Sequence, residues 1–426
     1  MQGLWHDLRY GARMLLKTPA FTLVAILMLA LGIGANTAIF SVVNAALLRP
    51  LAFKEPEQLV MVFSQMSGGT RGSVAYPDLL DWRSQTQSFS QLSAVTPQSV
   101  NLTGRAEPGR VLGGFISADF FQTLGVQPAL GRAFQAGEDA AGAERVVILN
   151  HTVWRDRFGA NPGLIGQTLT LNGQLYTVVG IMPEGFHFPY SDIDIWMPVQ
   201  QHPGFSLNRQ SAAVEVIGRL RPGVTGQQAR AEMETIAARL AQQYPETNKD
   251  RGITLINLQS MVVERLQPLL VMLLGAVGFV LLIACANVAN LTLSRAIGRS
   301  RELALRAALG ASRFRLLQRL LTESLLLSFA GGLLGLLIGS WGMDALAASS
   351  GVTLPFGVKV KFDPMVFAFT FGVTALTGVL FGLLPALRFS RPDVNDALKE
   401  GGRSSAANSR SNPLRSALAV VQVGLA

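Results

Sequence analysis

Four long apolar runs, Phe21–Leu48, Leu269–Leu293, Leu320–Leu346 and Met365–Leu387, constrain this chain more than any other feature. Each exceeds the roughly 20 residues a helix needs to cross a hydrocarbon core of about 30 Å. In lipid every backbone N–H and C=O must be satisfied internally, so runs of this length fold as helices. The chain reads as a four-span α-helical membrane bundle with an inserted α+β domain, residues 49–266, between the first two spans.

The distribution of charge orients the bundle. Residues 49–266 hold 18 Lys and Arg against 19 Asp and Glu, a net of −1, so the rest of the chain sums to +10. Arg9, Arg13 and Lys17 precede the first run, seven arginines occupy 295–319, and Arg388, Arg391, Lys399, Arg403, Arg410 and Arg415 follow the fourth. Short basic loops stay cytoplasmic, whereas a long neutral domain is translocated. The N-terminus, the 295–319 connector and the 388–416 tail are expected inside, and the insert outside. A cleaved signal peptide is the competing reading of the first run. That run is longer than a 7–15-residue h-region and lacks a small-residue cleavage site, which favours an uncleaved anchor. The basic pI alone suggests nucleic acid, but arginines flanking spans are explained by topology, and no nucleic-acid partner is expected.

One cysteine, Cys285, excludes an intrachain disulfide, and the four histidines follow no metal-ligand spacing. In the insert, Gln58–Ser64, Arg145–Leu149, Thr168–Leu171, Leu175–Ile181, Ala213–Arg219 and Ile253–Leu258 read as strands. Asn172-Gly173 signals a type I′ hairpin, which needs positive φ at both positions. Thr225 suits a helix cap, and Ala229, Met233, Ile236, Ala237 and Leu240 recur at helical spacing after it. The Gly/Pro-punctuated stretch from Glu107 to Pro203 suggests a lobe of its own. No H-E-x-x-H, G-x-S-x-G or paired CxxC occurs. Asp78 and Asp81 read as solvated or turn-capping residues rather than catalysts, and Asp192 and Asp194 as alternation along an edge strand rather than a cation site. An enzyme is not expected.

Within the spans, Gly331, Gly335 and Gly339, and then Gly378 and Gly382, recur every four residues, a spacing that lets helix backbones approach closely. Asn36, Asn287 and Asn290 are expected to hydrogen-bond to other helices. A polar pathway would carry more ionisable groups at mid-depth. Glu323 and Asp344 lie near span ends, where they can reach water, so the bundle reads as a mechanical anchor. Between the second and third spans, Ser300–Arg319 reads SRELALRAALGASRFRLLQR. Ser300 and Glu302 suit a helix start and Gly310 a left-handed end. The alternatives are a surface helix on anionic lipid and a docking element for a cytoplasmic partner. Residues 4–17 form a second basic amphipathic helix suited to the interface.

Three blocks then resemble a known family: DLRYGARMLLKTPAFTLVAILMLALGIGANTAIFSVVNAALLRPL, LLIACANVANLTLSRAIGRSRELALRAALGASRFRLLQRLLTESLLL and LFGLLPALRFSRPDVNDALKEGGR. They are similar to FtsX-like permeases of the MacB type, with most likeness to the duplicated-permease branch found in acidobacteria. ISADFFQTLGVQPALGRAF and LTLNGQLYTVVGIMPEGFHFP resemble that family's periplasmic core domain.

The resemblance implies a multi-pass inner-membrane subunit of an ABC system that does not pass substrate through the bilayer. Motion driven by ATP is transmitted to the periplasmic domain, for efflux or release of a substrate. It places the coupling element on Arg301, Glu302, Arg306, Gly310, Ala311, Ser312 and Arg313. The implied organisation is an interfacial helix (1–18), span 1 (19–48), a periplasmic core domain (49–266), span 2 (267–294), a cytoplasmic coupling loop (295–319), span 3 (320–346), a short loop (347–363), span 4 (364–387), a cytoplasmic linker (388–416) and the start of a fifth span (417–426).

No G-x-x-x-x-G-K-[ST] occurs, so ATP is expected on a separate subunit and no cofactor on this chain. The implied partners are that cytoplasmic ABC ATPase, a second permease half or permease dimer, a periplasmic adaptor or outer-membrane channel, and membrane lipid. The apolar stretch at 417–426 suggests that a longer, duplicated permease continues beyond it. The alternative function is an FtsX-like regulator that activates a periplasmic hydrolase or sensor without transport.

Overall fold

The computed structural model describes residues 2–66, 69–104, 107–188, 192–298, 313–349 and 364–389. In chain order these form α1 (Gln2–Leu16), α2 (Pro19–Val43), β1 (Leu59–Gln65), β2 (Arg71–Gly72), β3 (Val74–Ala75), α3 (Tyr76–Gln85), β4 (Phe89–Thr103) and β5 (Gly109–Ile116). Then follow α4 (Phe120–Leu124), β6 (Leu130–Gly131), β7 (Val146–Leu149), α5 (His151–Phe158), β8 (Thr168–Leu171), β9 (Gln174–Ile181), β10 (Ile195–Pro198) and β11 (Ala212–Leu220). The remaining elements are α6 (Gly226–Gln243), α7 (Pro245–Asn248), β12 (Gly252–Asn257), α8 (Leu258–Gly298), α9 (Arg313–Ser349) and α10 (Pro364–Phe389). They divide into two compact units, with Arg49–Leu266 forming the inserted one.

In the helical unit, α2, α8, α9 and α10 each contain a segment long and apolar enough to cross a membrane. Thr18 separates α1 from α2 in a non-helical conformation, φ −130° and ψ 70°, with Pro19 at the first helical position. A residue before proline avoids the helical region, so the chain breaks here and restarts. The Thr22 hydroxyl donates to Leu15 O at 2.7 Å across the break. Gly335 faces Gly34 where α9 crosses α2: a Cβ on Gly335 would lie 2.8 Å from Ala30 O and 3.0 Å from Gly34 N. At Gly378 of α10 a Cβ would overlap Ser328 Oγ, and at Gly382 it would lie 2.8 Å from Ser324 Cβ.

Asn36 and Thr37 of α2 are satisfied by neighbouring backbone and hydroxyl groups, whereas the Asn290 Oδ1, expected to bond to another helix, is buried with no hydrogen-bond partner among the described residues. Asn36 donates from Nδ2 to Gly32 O at 2.9 Å and to Val277 O of α8 at 2.8 Å. Thr37 bonds back to Ile33 O and meets the Thr370 hydroxyl at 3.1 Å. Phe40 stacks on Phe369 with centroids 3.8 Å apart.

The inserted unit is organised by one mixed sheet in the order β12-β1-β11-β4-β5-β10-β7-β9-β6, with β2, β3 and β8 at its margins. The residues from Glu107 to Pro203 are therefore not a separate compact lobe: β5 continues the sheet from β4, and β10 pairs in parallel with β5. The long strand β4 makes this continuity, pairing with β11 near its start and with β8 at its end.

Val60 and Val62 of β1 face the core beneath α6, while Leu59 and Met61 face the opposite core around Trp196. Residues of successive parity point to opposite faces, and burial on both sides explains the unbroken apolar run. Asn172 and Gly173 adopt φ +49° and +78° in the β8–β9 hairpin. Thr225 and Gln228 form a complete capping box at the start of α6, whose Ala229, Met233, Ile236 and Leu240 are buried. β10 lies between β5 and β7, so Asp194 precedes an interior strand and not an edge one.

Candidate functional site

The ends of α8 and α9 meet at the arginine-rich connector, and there the helical unit concentrates its described charge. Arg295, near the end of α8, donates from Nη1 to Glu323 Oε1 of α9 at 3.1 Å and from Nη2 to Met14 O of α1 at 3.1 Å. Its guanidinium carbon lies 4.8 Å over the Phe21 ring of α2. The pair is 15% and 20% exposed at the side chains, so Glu323 is partnered rather than solvated as its position near a span end suggested. One planar cation on α8 thus touches three other helices, which an ammonium, as a point charge without a planar face, would not reproduce. At Gly11 of α1 a Cβ would sit 2.9 Å from Leu326 Cδ1 and 4.0 Å from Glu323 Cα, so a small residue is needed where α1 approaches α9.

Of the residues expected to couple to an ATPase, Arg301, Glu302, Arg306, Gly310, Ala311 and Ser312 lie outside the described residues, and Arg313 is the first residue of α9. The packing glycines fall on interhelical contacts of graded tightness. A Cβ would lie 2.7 Å from Leu29 Cβ at Gly331, 2.8 Å from a backbone oxygen at Gly335 and 3.4 Å from Gly34 O at Gly339. The Arg295–Glu323 pairing was not drawn from the sequence. The available signal was one unlike charge on each side of the connector, close to a span end.

The insert holds charged clusters that are saturated by structural partners. Asp78 is buried and accepts from Arg209 Nη1 at 2.5 Å and from Asn248 Nδ2 at 3.0 Å, and Arg251 stands 3.8 Å away. Asp81 takes the other Arg209 nitrogen, and the guanidinium carbon sits 3.8 Å over Tyr244. These aspartates are thus neither solvated nor turn caps. They tie α3 to the β10–β11 loop, and Asp78 reaches α7 as well.

Burial pushes the Glu232 carboxyl up, but hydrogen bonds from Ser88, Gln87 and Thr86 hold it below the usual glutamate range. Burial raises Asp119 against the opposing effects of Arg83 and Ser93. Burial also raises Asp194, whose carboxylate accepts the Leu112 N–H at 2.8 Å. Burial lowers His187 and His202. Among the described residues no three His, Cys, Asp or Glu side chains are grouped to hold a metal.

This architecture, a mixed-sheet domain inserted between the first two of four apolar helices, has a family counterpart. Residues 22–236 match the MacB-like periplasmic core domain and residues 274–394 the FtsX-like permease C-terminal domain. The chain belongs to the MacB-type, FtsX-like permeases.

The permease is 29% identical over 290 residues to the macrolide export ATP-binding/permease protein MacB of Burkholderia lata, covering 66% of this chain and 39% of that protein. It is 27% identical over 292 residues to the probable syringafactin export ATP-binding/permease protein SyfD of Pseudomonas syringae pv. tomato, covering 66% and 41%. The chain spans about two fifths of the length of these relatives. The chain also aligns with the crystal structure of the periplasmic region of MacB from Actinobacillus actinomycetemcomitans, at 13% identity and a TM-score of 0.38, over 49% of this chain and 92% of that one. Four apolar helices and a periplasmic-type domain fit an inner-membrane permease.

Proposed function

We propose that this chain is the membrane subunit of an ABC-type export system and converts motion driven by a cytoplasmic ATPase into motion of its extracytoplasmic domain. One observation supports the reading: the seven-arginine connector lies within the FtsX-like permease region, residues 274–394, and Arg295 at its edge ties α8 to α1, α2 and α9. A connector that served topology alone would need only a few arginines. In this reading the chain binds no nucleotide and catalyses no reaction. ATP is held by a separate subunit, which grips Arg301–Arg313, while a second permease half or copy, lipid, and an adaptor or outer-membrane channel complete the assembly.

The test is a double charge reversal, Arg306→Glu with Arg313→Glu, in the chain expressed with the ATPase that co-purifies with it. The expected result is loss of co-purification and of ATPase stimulation at unchanged membrane insertion. Retained ATPase binding would overturn the assignment.

A further inference from the structure

α1 is held to the bundle by one side. At Gly11 an added Cβ would lie 2.9 Å from Leu326 Cδ1, Met14 O accepts from Arg295 at 3.1 Å, and Leu15 is buried in the helical core with Leu29 and Phe381. Leu326 belongs to the apolar segment Leu320–Gly342 of α9, so this contact sets α1 beside the first turns of a span, and the chain enters another span at Pro19. A helix turns by about 100° per residue, which puts Gly11, Met14 and Leu15 on one face and Arg9, Arg13 and Leu16 within about 40° of the direction opposite Gly11. Those three side chains are exposed, Leu16 by 79%, and so is Lys17 beside them. Among the described residues no carboxylate pairs with Arg9, Arg13 or Lys17, in contrast to Arg295 of the same unit.

What covers this face must answer two cations and an apolar side chain standing between them. The apolar exposure that starts at Leu16 resumes in α2 at Leu23, Val24, Leu27 and Leu31, which on a spanning helix meet acyl chains. Leu16 therefore stands at the edge of the lipid-facing surface. A free phosphate or a nucleic acid would answer the arginines but leave Leu16 in water, and a zwitterionic lipid would cover Leu16 but offer the arginines no net charge. An anionic phospholipid does both, since its phosphate oxygens accept the bidentate guanidinium donors while the arginine stems and Leu16 lie along its chains. We infer that the Arg9–Arg13–Leu16 face of α1 binds anionic phospholipid at the boundary of the membrane, with Lys17 adding to the field. Basic amphipathic helices with an apolar side chain on the exposed face hold to anionic lipid by these two contributions together. The inference rests on the reading of the chain as a membrane permease and names the lipid in its assembly; it does not depend on the connector or on an ATPase.

The experiment uses the full chain carrying Cys285→Ser and Ala12→Cys, labelled with bimane in phosphatidylcholine nanodiscs without an ATPase. Ala12 is exposed and stands one turn from both Arg9 and Leu16. A minor share of the lipid is replaced by brominated phosphatidylglycerol or, in parallel, by brominated phosphatidylcholine, and quenching of the label reads the local concentration of each. Both faces of a nanodisc present the same lipid, so the result is independent of orientation and of the ATPase reading. Phosphatidylglycerol is expected to be enriched by about fivefold or more at about 0.1 M salt, the effect of at least one basic residue near an anionic surface, and the enrichment to fade at about 1 M salt. Arg9→Gln with Arg13→Gln is expected to remove most of it, Arg9→Lys with Arg13→Lys to keep most of it, and millimolar inorganic phosphate to leave it unchanged. Equal quenching by the two lipids, an enrichment that survives the glutamine pair and so belongs to other basic residues, or displacement by inorganic phosphate would each overturn the inference. So would the absence of quenching by either lipid, which would mean that protein covers this face. If the glutamine pair fails to insert, the comparison of the two lipids and its salt dependence with the native arginines decide it alone.

Discussion

Replacing single glycines along α9 by alanine separates close backbone packing from mere tolerance of small residues. At Gly335 the added methyl meets Ala30 O at 2.8 Å, Gly34 N at 3.0 Å and Gly34 Cα at 3.3 Å, all main-chain atoms that no rotamer change can remove. Overpacking of this kind costs about 1–3 kcal/mol, with the rigid backbone placing it at the upper end. The same substitution gains about 1 kcal/mol of helix propensity. The expected net loss for Gly335→Ala is therefore about 2 kcal/mol, roughly a 30-fold change in an equilibrium constant. At Gly342 nothing lies within 4 Å among the described residues, so only the propensity gain remains and Gly342→Ala should stabilise by up to about 1 kcal/mol. Gly339→Ala, with its Cβ 3.4 Å from Gly34 O, should fall between the two. The assay is reversible unfolding of the purified chain in mixed micelles titrated with dodecyl sulfate, followed by circular dichroism. Equal midpoints for Gly335→Ala and Gly342→Ala, or stabilisation by the former, would refute the claim that α2 and α9 pack backbone to backbone.

Truncating Arg295 and Glu323 singly and together should give a coupling energy of about 1–3 kcal/mol in the same assay, because the two side chains are largely buried and mutually paired. Additive effects would mean the clasp is not an energetic unit. Asp78→Ala should destabilise the chain by about 3 kcal/mol, since it strips Arg209 and Asn248 of a shared buried acceptor, whereas the exposed pair Arg230–Glu234 should yield under about 0.5 kcal/mol; thermal denaturation of the two variants compares them. Met233→Ala, fully buried under the sheet, should cost about 2–5 kcal/mol by the same measurement. Glu232 has a folded pKa below its unfolded one, so its stabilisation is complete above the unfolded value and fades as pH falls through the folded one. Glu232→Gln should flatten the acid limb of the stability profile below about pH 4.3 and lower stability near neutrality; an unchanged acid limb would contradict the role assigned to its three donors.

Local rules read the elements well where the physics is local. The hairpin at Asn172-Gly173 follows from φ alone, the capping box at Thr225 from a three-residue spacing, and the α6 stripe from helical period. The continuity of the sheet through residues 107–203 was not legible, because it depends on β4 being long enough to pair with β11 at one end and β8 at the other, and glycines and prolines nearby mimic a boundary. Asp78 was misread for a related reason. Its partners Arg209, Asn248 and Arg251 stand more than 130 residues away, and no spacing rule reaches them. The start of α8 shows the converse case: Leu258 reads as strand by composition, yet the Asn257 side chain accepts from Gln259 N at 3.0 Å and turns the chain into a helix.

The bundle distributes stiffness unevenly, and that bears on how it can move. α2 meets α9 through main-chain atoms at Gly34 and Gly335, where any sliding costs backbone contacts at once. α8 meets α2 differently. It offers Leu281 and Ala284 to Gly32 and one carbonyl to Asn36, while Gly275 and Gly278 face nothing within 4 Å among the described residues. Side-chain contacts of this kind repack between rotamers at low cost, so the α8–α2 contact at Gly32 resists displacement less than the main-chain contact of α9 with α2. The first turns of α8, Leu258 and Met261, are packed into the core of the insert around Trp196, and its last turn carries Arg295. The clasp sets its resting position, because moving α8 along its axis by even one residue, about 1.5 Å, breaks the 3.1 Å bonds to Glu323 and Met14 together. Arg295→Lys keeps the charge but loses the fork. It should therefore leave insertion intact while allowing α8 to slide, seen as altered cross-linking between cysteines placed on α8 and α2, whereas an unaltered cross-linking pattern would mean that packing, and not the clasp, sets the register.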